Sequence, residues 1–288
     1  RRHCCRHDAS GHRVSLVIRS RDNALVKRLA RLSAQGRARR EEGVGIIEGW
    51  HLVRALLESR RRGASNLLSV ALSEAAIDHP ESRTMIDRLD GVALHVIDAS
   101  VFARIGESDG PNAVLGVFTL PPTSGTTPVK EGGLQLWLDA VQDPGNVGTL
   151  IRTAAAAGAT AVVLGPGCAD PWSPKALRAG MGGHFETAVV NGVVWADAAR
   201  AFGGQILALA LDGSRSLYDT VLDGDVAVLL GNEGAGLSES VAALASARVH
   251  IPMPGAVESL NVAAAGAIVC FERVRQLQVA AAAKSTSR

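Results

Sequence analysis

Three stretches in the second half of the chain are too polar and too rich in glycine to be plain loops. They are DPGNVGTLIR at residues 143–152, GNEGAG at 231–236 and IPMPGAVESLN at 251–261. Each follows an apolar run of strand length, so each sits where a strand gives way to a turn or a helix. Such positions present backbone N–H groups to a polar ligand. Glycine there lets a flat ligand come close to the backbone. Together they supply Asn146, Arg152, Asn232, Glu233, Glu258, Ser259 and Asn261. Asn, Asp and Ser also cap helices and Gly also makes turns, which explains any one stretch taken alone. Three of them in one half of one chain point to a ligand site.

The usual cofactor and nucleophile signatures are missing. A dinucleotide fold needs G-x-G-x-x-G between a strand and a helix. Gly231, Gly234 and Gly236 give G-x-x-G-x-G instead. Neither G-x-x-x-x-G-K-[ST] nor G-x-S-x-G occurs. No Cys or His pair has metal-ligand spacing, so no metal is expected. His3, Cys4, Cys5, His7 and His12 cluster near the start, but adjacent cysteines rarely serve one tetrahedral zinc. Residues 1–16 read as a disordered extension, with no apolar core that would make a secretory signal.

The elements that must position these residues alternate along the chain. Asp22 or Asn23 can cap a helix through Leu25, Leu29 and Leu32. Strands are expected at 45–48, 67–72, Ala93–Ile97 and Val114–Thr119. Helices are expected at Trp50–Arg61, 81–89 and 101–105. This pattern makes a small α/β domain over residues 17–120. PPTSGTTPVKEGG, residues 121–133, reads as a linker.

Residues 134–288 alternate again. Strands are expected at Leu134–Leu138, Ala161–Leu164, 187–190, 206–211, Val226–Leu230 and 248–251. Helices are expected at 147–157, 174–179 and 259–277. Near-continuous apolar strands with glycine-rich exits imply a parallel sheet covered on both faces. Ligands of such sheets lie beyond the carboxyl ends of the strands.

The chain has 288 residues, of which 47% are apolar and 3% aromatic, so its core must be built from Ala, Val, Leu and Ile. No apolar run approaches the ~18 residues of a membrane-spanning helix. Four Cys, two of them adjacent, make no disulfide framework, and a cytosolic, reducing home is expected. The net charge of +2 hides an asymmetry. Residues 1–122 hold 19 Lys and Arg against 14 Asp and Glu, and residues 123–288 hold 11 against 14. The first 62 residues alone hold 16 against 6. A basic front on a near-neutral body suits nucleic acid, and it also suits a solvated basic helix.

The strings DPGNVGTLIRTAAAAGA, VLLGNEGAGLS and IPMPGAVESLNVAAAGAI resemble motifs one, two and three of the SpoU/TrmH family of SPOUT-class RNA 2′-O-ribose methyltransferases. ADPWSPKALRAGMGGHF, residues 169–185, is similar to the branch acting on large-subunit ribosomal RNA and its mitochondrial relatives. The front half, from SRDNALVKRLARL through the IIEG strand, is similar to the family's substrate-binding α/β module. The resemblance spans residues 17–278. It implies a parallel sheet with a trefoil knot, S-adenosyl-L-methionine as cofactor, and a homodimer. It also implies methylation of a ribose 2′-hydroxyl, on a guanosine of large-subunit ribosomal RNA. Transfer RNA is the alternative substrate, and a non-catalytic ribosome-assembly factor is the alternative outside catalysis.

By matching position, the cofactor would rest on Leu209, Leu211, Gly231, Asn232, Gly234, Ile251, Met253, Ser259, Leu260 and Asn261. The reactive centre would be Asn146, Arg152, Glu233, Ser259 and Asn261. Methyl transfer from a sulfonium is a direct displacement, and positioning alone can supply roughly 7–11 kcal/mol in good intramolecular models. The family's account makes Arg152 the base, yet a guanidinium is normally always charged. Either the crowded site lets Arg152 accept the proton, or Arg152 stays cationic and stabilises the forming alkoxide while another group accepts it. We prefer the second reading. Glu233 would be that acceptor or would orient Arg152.

In the same reading the basic front grips RNA phosphates through Arg21, Lys27, Arg28, Arg31, Arg37, Arg39 and Arg40, then Arg60, Arg61 and Arg62. Lys175 and Arg178 share a helix face and either bind phosphate or are simply solvated. His184 is an RNA contact or a satisfied polar group rather than the base. Cys168 and Cys270 read as small buried hydrophobes, and Trp137 and Trp195 as packing residues.

Overall fold

The computed structural model describes residues 6–7, 13–14, 17–61, 66–78, 80–89, 91–108, 110–121 and 132–286. The chain divides into two compact units, residues 1–122 with 172–174, and residues 123–171 with 175–288. Of the expected linker, residues 121–133, residues 122–131 lie outside the described ones. In the expected N-terminal extension, β1 (Arg6–His7) and β2 (Arg13–Val14) pair antiparallel, and the remaining residues lie outside the described ones. The His3, Cys4, Cys5 and His12 part of the cluster considered for zinc lies there too.

The first unit runs α1 (Ala24–Ala34), α2 (Gly36–Glu42), β3 (Val44–Glu48), α3 (Trp50–Arg61), β4 (Leu67–Ser73), α4 (Pro80–Ile86), β5 (Ala93–Ile97), α5 (Ala99–Phe102) and β6 (Val114–Thr119). Its sheet has the order β3-β6-β4-β5, antiparallel except for the β4–β5 pair. Asn23, not Asp22, caps α1 by accepting the Leu25 N–H at 2.9 Å. Val26, Leu29 and Leu32 turn into the core at the spacing of one helix face.

The second unit runs β7 (Leu134–Leu138), α6 (Pro144–Ala156), β8 (Ala161–Leu164), α7 (Pro174–Gly180), β9 (Ala188–Asn191), α8 (Trp195–Ala201), β10 (Gln205–Leu209), β11 (Arg215–Ser216), β12 (Val226–Leu230), α9 (Glu239–Ala242), β13 (Ala247–His250) and α10 (Val262–Thr286). Seven parallel strands lie in the order β11-β13-β10-β12-β7-β8-β9. Strand alternation sorts the apolar residues between two layers. Leu134, Leu136 and Leu138 join the α6 and α10 side, with Val147, Leu150, Val269 and Cys270. Trp137 points the other way, against α8, where its ring stacks on Trp195 with centroids 5.6 Å apart. Cys270 is fully buried and Cys168 half-buried against the same core. Gly148 lets α6 lie against α7, since a Cβ there would overlap the Ala176 carbonyl oxygen.

Candidate active site

The carboxyl ends of β10, β12 and β13 open on one side of the sheet and enclose a cavity of about 610 Å³. That size is ordinary for a small-molecule site. Leu209, Leu211, Gly231, Asn232, Gly234, Ile251, Met253, Ser259, Leu260 and Asn261 all line it, as do Glu233 and Glu258. The ten residues that the resemblance assigned to the cofactor, drawn from three separate strand exits, therefore surround one space. Leu211 and Leu260 leave apolar surface exposed in it.

The loop after β12 is shaped from inside by Asn232. Its Oδ1 accepts the N–H groups of Gly234 at 2.9 Å and Ala235 at 3.0 Å. Its backbone exchanges two hydrogen bonds with Gly236, each 2.9 Å. The turn is so tight that a Cβ on Gly231 would collide with the Gly236 backbone. Asn232 is thus an organiser of the loop.

Asn146 does not line the cavity, yet it links two residues that do. Its Nδ2 donates to Glu233 Oε1 at 2.9 Å, and its Oδ1 accepts from Asn261 Nδ2 at 3.1 Å. Asn261 also caps α10, accepting the Ala263 N–H at 2.9 Å. Burial pushes the Glu233 carboxyl up. The Asn146 amide and the N–H groups of Glu233, Gln142 and Asp143 outweigh it, and hold the carboxyl below the usual range.

Arg152 lies on α6, six residues beyond Asn146, with an exposed side chain. It makes no hydrogen bond or ion pair among the described residues. It is therefore free to meet a ligand, and it is not held by Glu233 in this state.

Two positions outside the sequence expectations also build the site. Asp143 caps α6 by accepting the Asn146 N–H at 3.0 Å, and its other oxygen takes Lys175 Nζ at 2.8 Å. The Lys175 ammonium, with the capping N–H groups, lowers the Asp143 carboxyl. Lys175, expected at RNA, thus braces motif one. The Asp-Pro pair at a helix start is a capping signal that could have found Asp143. Asp139, at the end of β7, is buried and accepts from Ser238. A lone acid closing a largely apolar strand is the sign of it in the sequence.

The basic front departs from expectation. Arg39 is 4% exposed and donates to the carbonyls of Leu32 at 2.9 Å and Ser33 at 3.5 Å, so it closes the end of α1 instead of facing solvent. Arg28 and Arg31 both pair with Glu42, Lys27 with Asp22, and Arg37 with Glu41. Arg21 and Arg40 are exposed. Arg62 and the side chains of Arg60 and Arg61 lie outside the described ones. Arg178 is half-buried on α7. His184 is 5% exposed with Nε2 2.8 Å from the Pro171 carbonyl, so it is a core polar group and not an RNA contact. No group of His, Cys, Asp and Glu that could hold a metal occurs among the described residues. No helix among them is long and apolar enough to cross a membrane.

Residues 133–271 match the SpoU rRNA Methylase family, and residues 23–116 match the MRM3-like substrate binding domain. The chain is 33% identical over 256 residues to the 23S rRNA (guanosine(2553)-2′-O)-methyltransferase RlmP of Bacillus subtilis, covering 88% of this chain and 97% of that one. It superposes on the AdoMet-bound rRNA methyltransferase of Sinorhizobium meliloti with a TM-score of 0.79 and 30% identity, covering 91% and 98% of the two chains. The SpoU methyltransferase AviRb of Streptomyces viridochromogenes, in complex with AdoMet, gives 0.76 and 26%, covering 88% and 98%. With its three motifs gathered at one end of a parallel sheet and a relative matched over nearly its whole length, this chain belongs to the SpoU rRNA methylase family.

Proposed function

We propose that this protein transfers a methyl group from S-adenosyl-L-methionine to a ribose 2′-hydroxyl, on a guanosine of large-subunit ribosomal RNA. The observation that carries the reading is the meeting of the ten assigned cofactor residues around one cavity. The guanosine and the ribosomal target follow the activity named for the Bacillus relative.

The cavity fits the cofactor in kind. Leu209, Leu211, Ile251, Met253 and Leu260 offer apolar walls, and the glycines of the 231–236 loop offer bare backbone. When bound, S-adenosyl-L-methionine supplies a methyl group already activated by the positive sulfur. The chain's own residues then place the ribose hydroxyl and stabilise the alkoxide that forms as its proton leaves to water. Arg152, exposed and unpaired among the described residues, meets the developing alkoxide or its neighbouring phosphate. Glu233 is held below the ordinary carboxylate range, which makes it a weak base near neutral pH. Its part is to fix the Asn146 amide, which in turn fixes Asn261.

The reading includes a trefoil knot in the chain path through β10, β12 and β13, and a cytoplasmic home beside the ribosome. It includes a homodimer, for which Phe271, Leu277 and Val279 leave apolar surface exposed along α10. It keeps Arg21 and Arg40 as phosphate contacts.

Calorimetry separates this reading from its rivals. S-adenosyl-L-methionine should bind, and NAD and ATP should not. Mapping ribose methylation in ribosomal RNA from cells with and without the gene should then show one lost 2′-O-methyl guanosine. Binding of NAD with silence toward the methyl donor would end the reading.

A further inference from the structure

Asp139 and Ala140 follow β7 directly, between the strand and motif one, and neither lines the cavity. Asp139 is 6% exposed, and a carboxylate so placed needs donors. It has them on motif two. Its Oδ2 accepts the Ser238 backbone N–H at 2.9 Å and the Ser238 hydroxyl at 2.8 Å. Its own N–H donates to the Leu230 carbonyl, the last residue of β12, at 2.9 Å. Ala140 takes a left-handed conformation, φ 54°, which a residue with a Cβ rarely adopts. That turn aims its carbonyl at Asn232, whose Nδ2 donates to it at 2.9 Å. The loop between Asn232 and Ser238 is therefore tied at both ends to two consecutive residues of the neighbouring strand exit. Strain held at such a point signals a positioning role.

We propose that Asp139 is a positioning residue for the cofactor. Together with Ala140 it clamps the loop at 232–238 and so sets the wall of the cavity. The inference rests on the methyltransferase reading of that cavity. Asp139 touches neither reacting atom; it acts through Ser238 and the loop.

The test measures S-adenosyl-L-methionine affinity by calorimetry, with kcat and KM for both substrates, on the full chain. Asp139→Ala should raise Kd and KM for the methyl donor about tenfold, and leave KM for RNA and kcat at saturation within about twofold. Asp139→Asn keeps an acceptor oxygen in place and should recover most of the affinity. Ser238→Ala removes the hydroxyl alone from an exposed residue, so it should fold, and should cost part of the same affinity. Combined with Asp139→Ala it should cost nothing further, because both act through one contact. If the unaltered chain fails to bind the methyl donor, the methyltransferase reading falls. If the unaltered chain binds it and Ser238→Ala binds equally well, with Asp139→Ala either equal to the parent or unfolded, the clamp is refuted.

Discussion

Asn146 Nδ2 stands 2.9 Å from Glu233 Oε1, a hydrogen bond that joins motif one to motif two across 87 residues of chain. The Asn146 amide faces both ways: it donates to an anion on one side and accepts from Asn261 on the other. Removing it takes one contact from Glu233 and one from Asn261. Asn146→Ala should lower kcat about 10²-fold or more, the cost of losing one well-placed polar group in an active site. The Kd for the methyl donor should change by no more than about threefold, because Asn146 lies outside the cavity lining. Single-turnover kinetics with calorimetry measure both. A kcat within about threefold of the parent would remove Asn146 from the reactive centre.

Arg152 offers the cleaner separation of chemistry from folding. Its guanidinium is exposed and makes no bond among the described residues. Arg152→Ala should therefore leave stability within about 0.5 kcal/mol, as surface substitutions do. It should abolish turnover while S-adenosyl-L-methionine still binds. Near-normal turnover in the variant would show that motif one had been assigned wrongly.

Arg39 reverses the expectation for a basic run. It is buried, and its Nη1 caps the last carbonyls of α1. Arg39→Ala should cost about 1.5–3 kcal/mol of stability, the range for a hydrogen bond that involves a charged group. It should leave the salt dependence of RNA binding unchanged. Replacing exposed Arg21 and Arg40 by Ala should do the opposite, weakening binding and reducing the salt slope by about one for each phosphate no longer neutralised. Thermal melts and RNA titrations at several salt concentrations measure both. A flattened slope with an unshifted melt in Arg39→Ala would return that residue to the RNA surface.

The cavity at the strand exits was legible because its signal is local. Glycine at a strand exit is written in the sequence beside the strand that it ends, and Val226–Leu230 carries an unbroken apolar run. The pairing of charges was not legible. That Arg28 and Arg31 share Glu42 depends on α2 folding back beside α1, and a count of basic residues cannot say which of them turn inward. Helix α8 was hidden as well: it has seven residues and only Ala198 fully buried, too little for an apolar period to show. Asp139 carried no motif, since its partner Ser238 lies 99 residues away. Lys175 looked like a phosphate ligand for the same reason; its partner Asp143 is 32 residues upstream.

His184 gives the fold a dependence on pH that can be assigned to one side chain. Burial lowers its pKa from 6.5 to about 4, partly offset by the Pro171 carbonyl beside Nε2. The folded protein thus holds the ring neutral where the unfolded chain would protonate it. Its contribution is complete above the unfolded pKa and declines as pH falls from 6.5 toward about 4. The shift corresponds to a loss of about 3 kcal/mol across that window. His184→Gln keeps an N–H that can reach the Pro171 carbonyl and does not titrate. Denaturant unfolding at several pH values should show the parent losing stability through this window more steeply than the variant, by about 3 kcal/mol in all. Equal slopes would mean that His184 takes up its proton with the fold intact, and that the ring's burial opposes protonation far less than its surroundings imply.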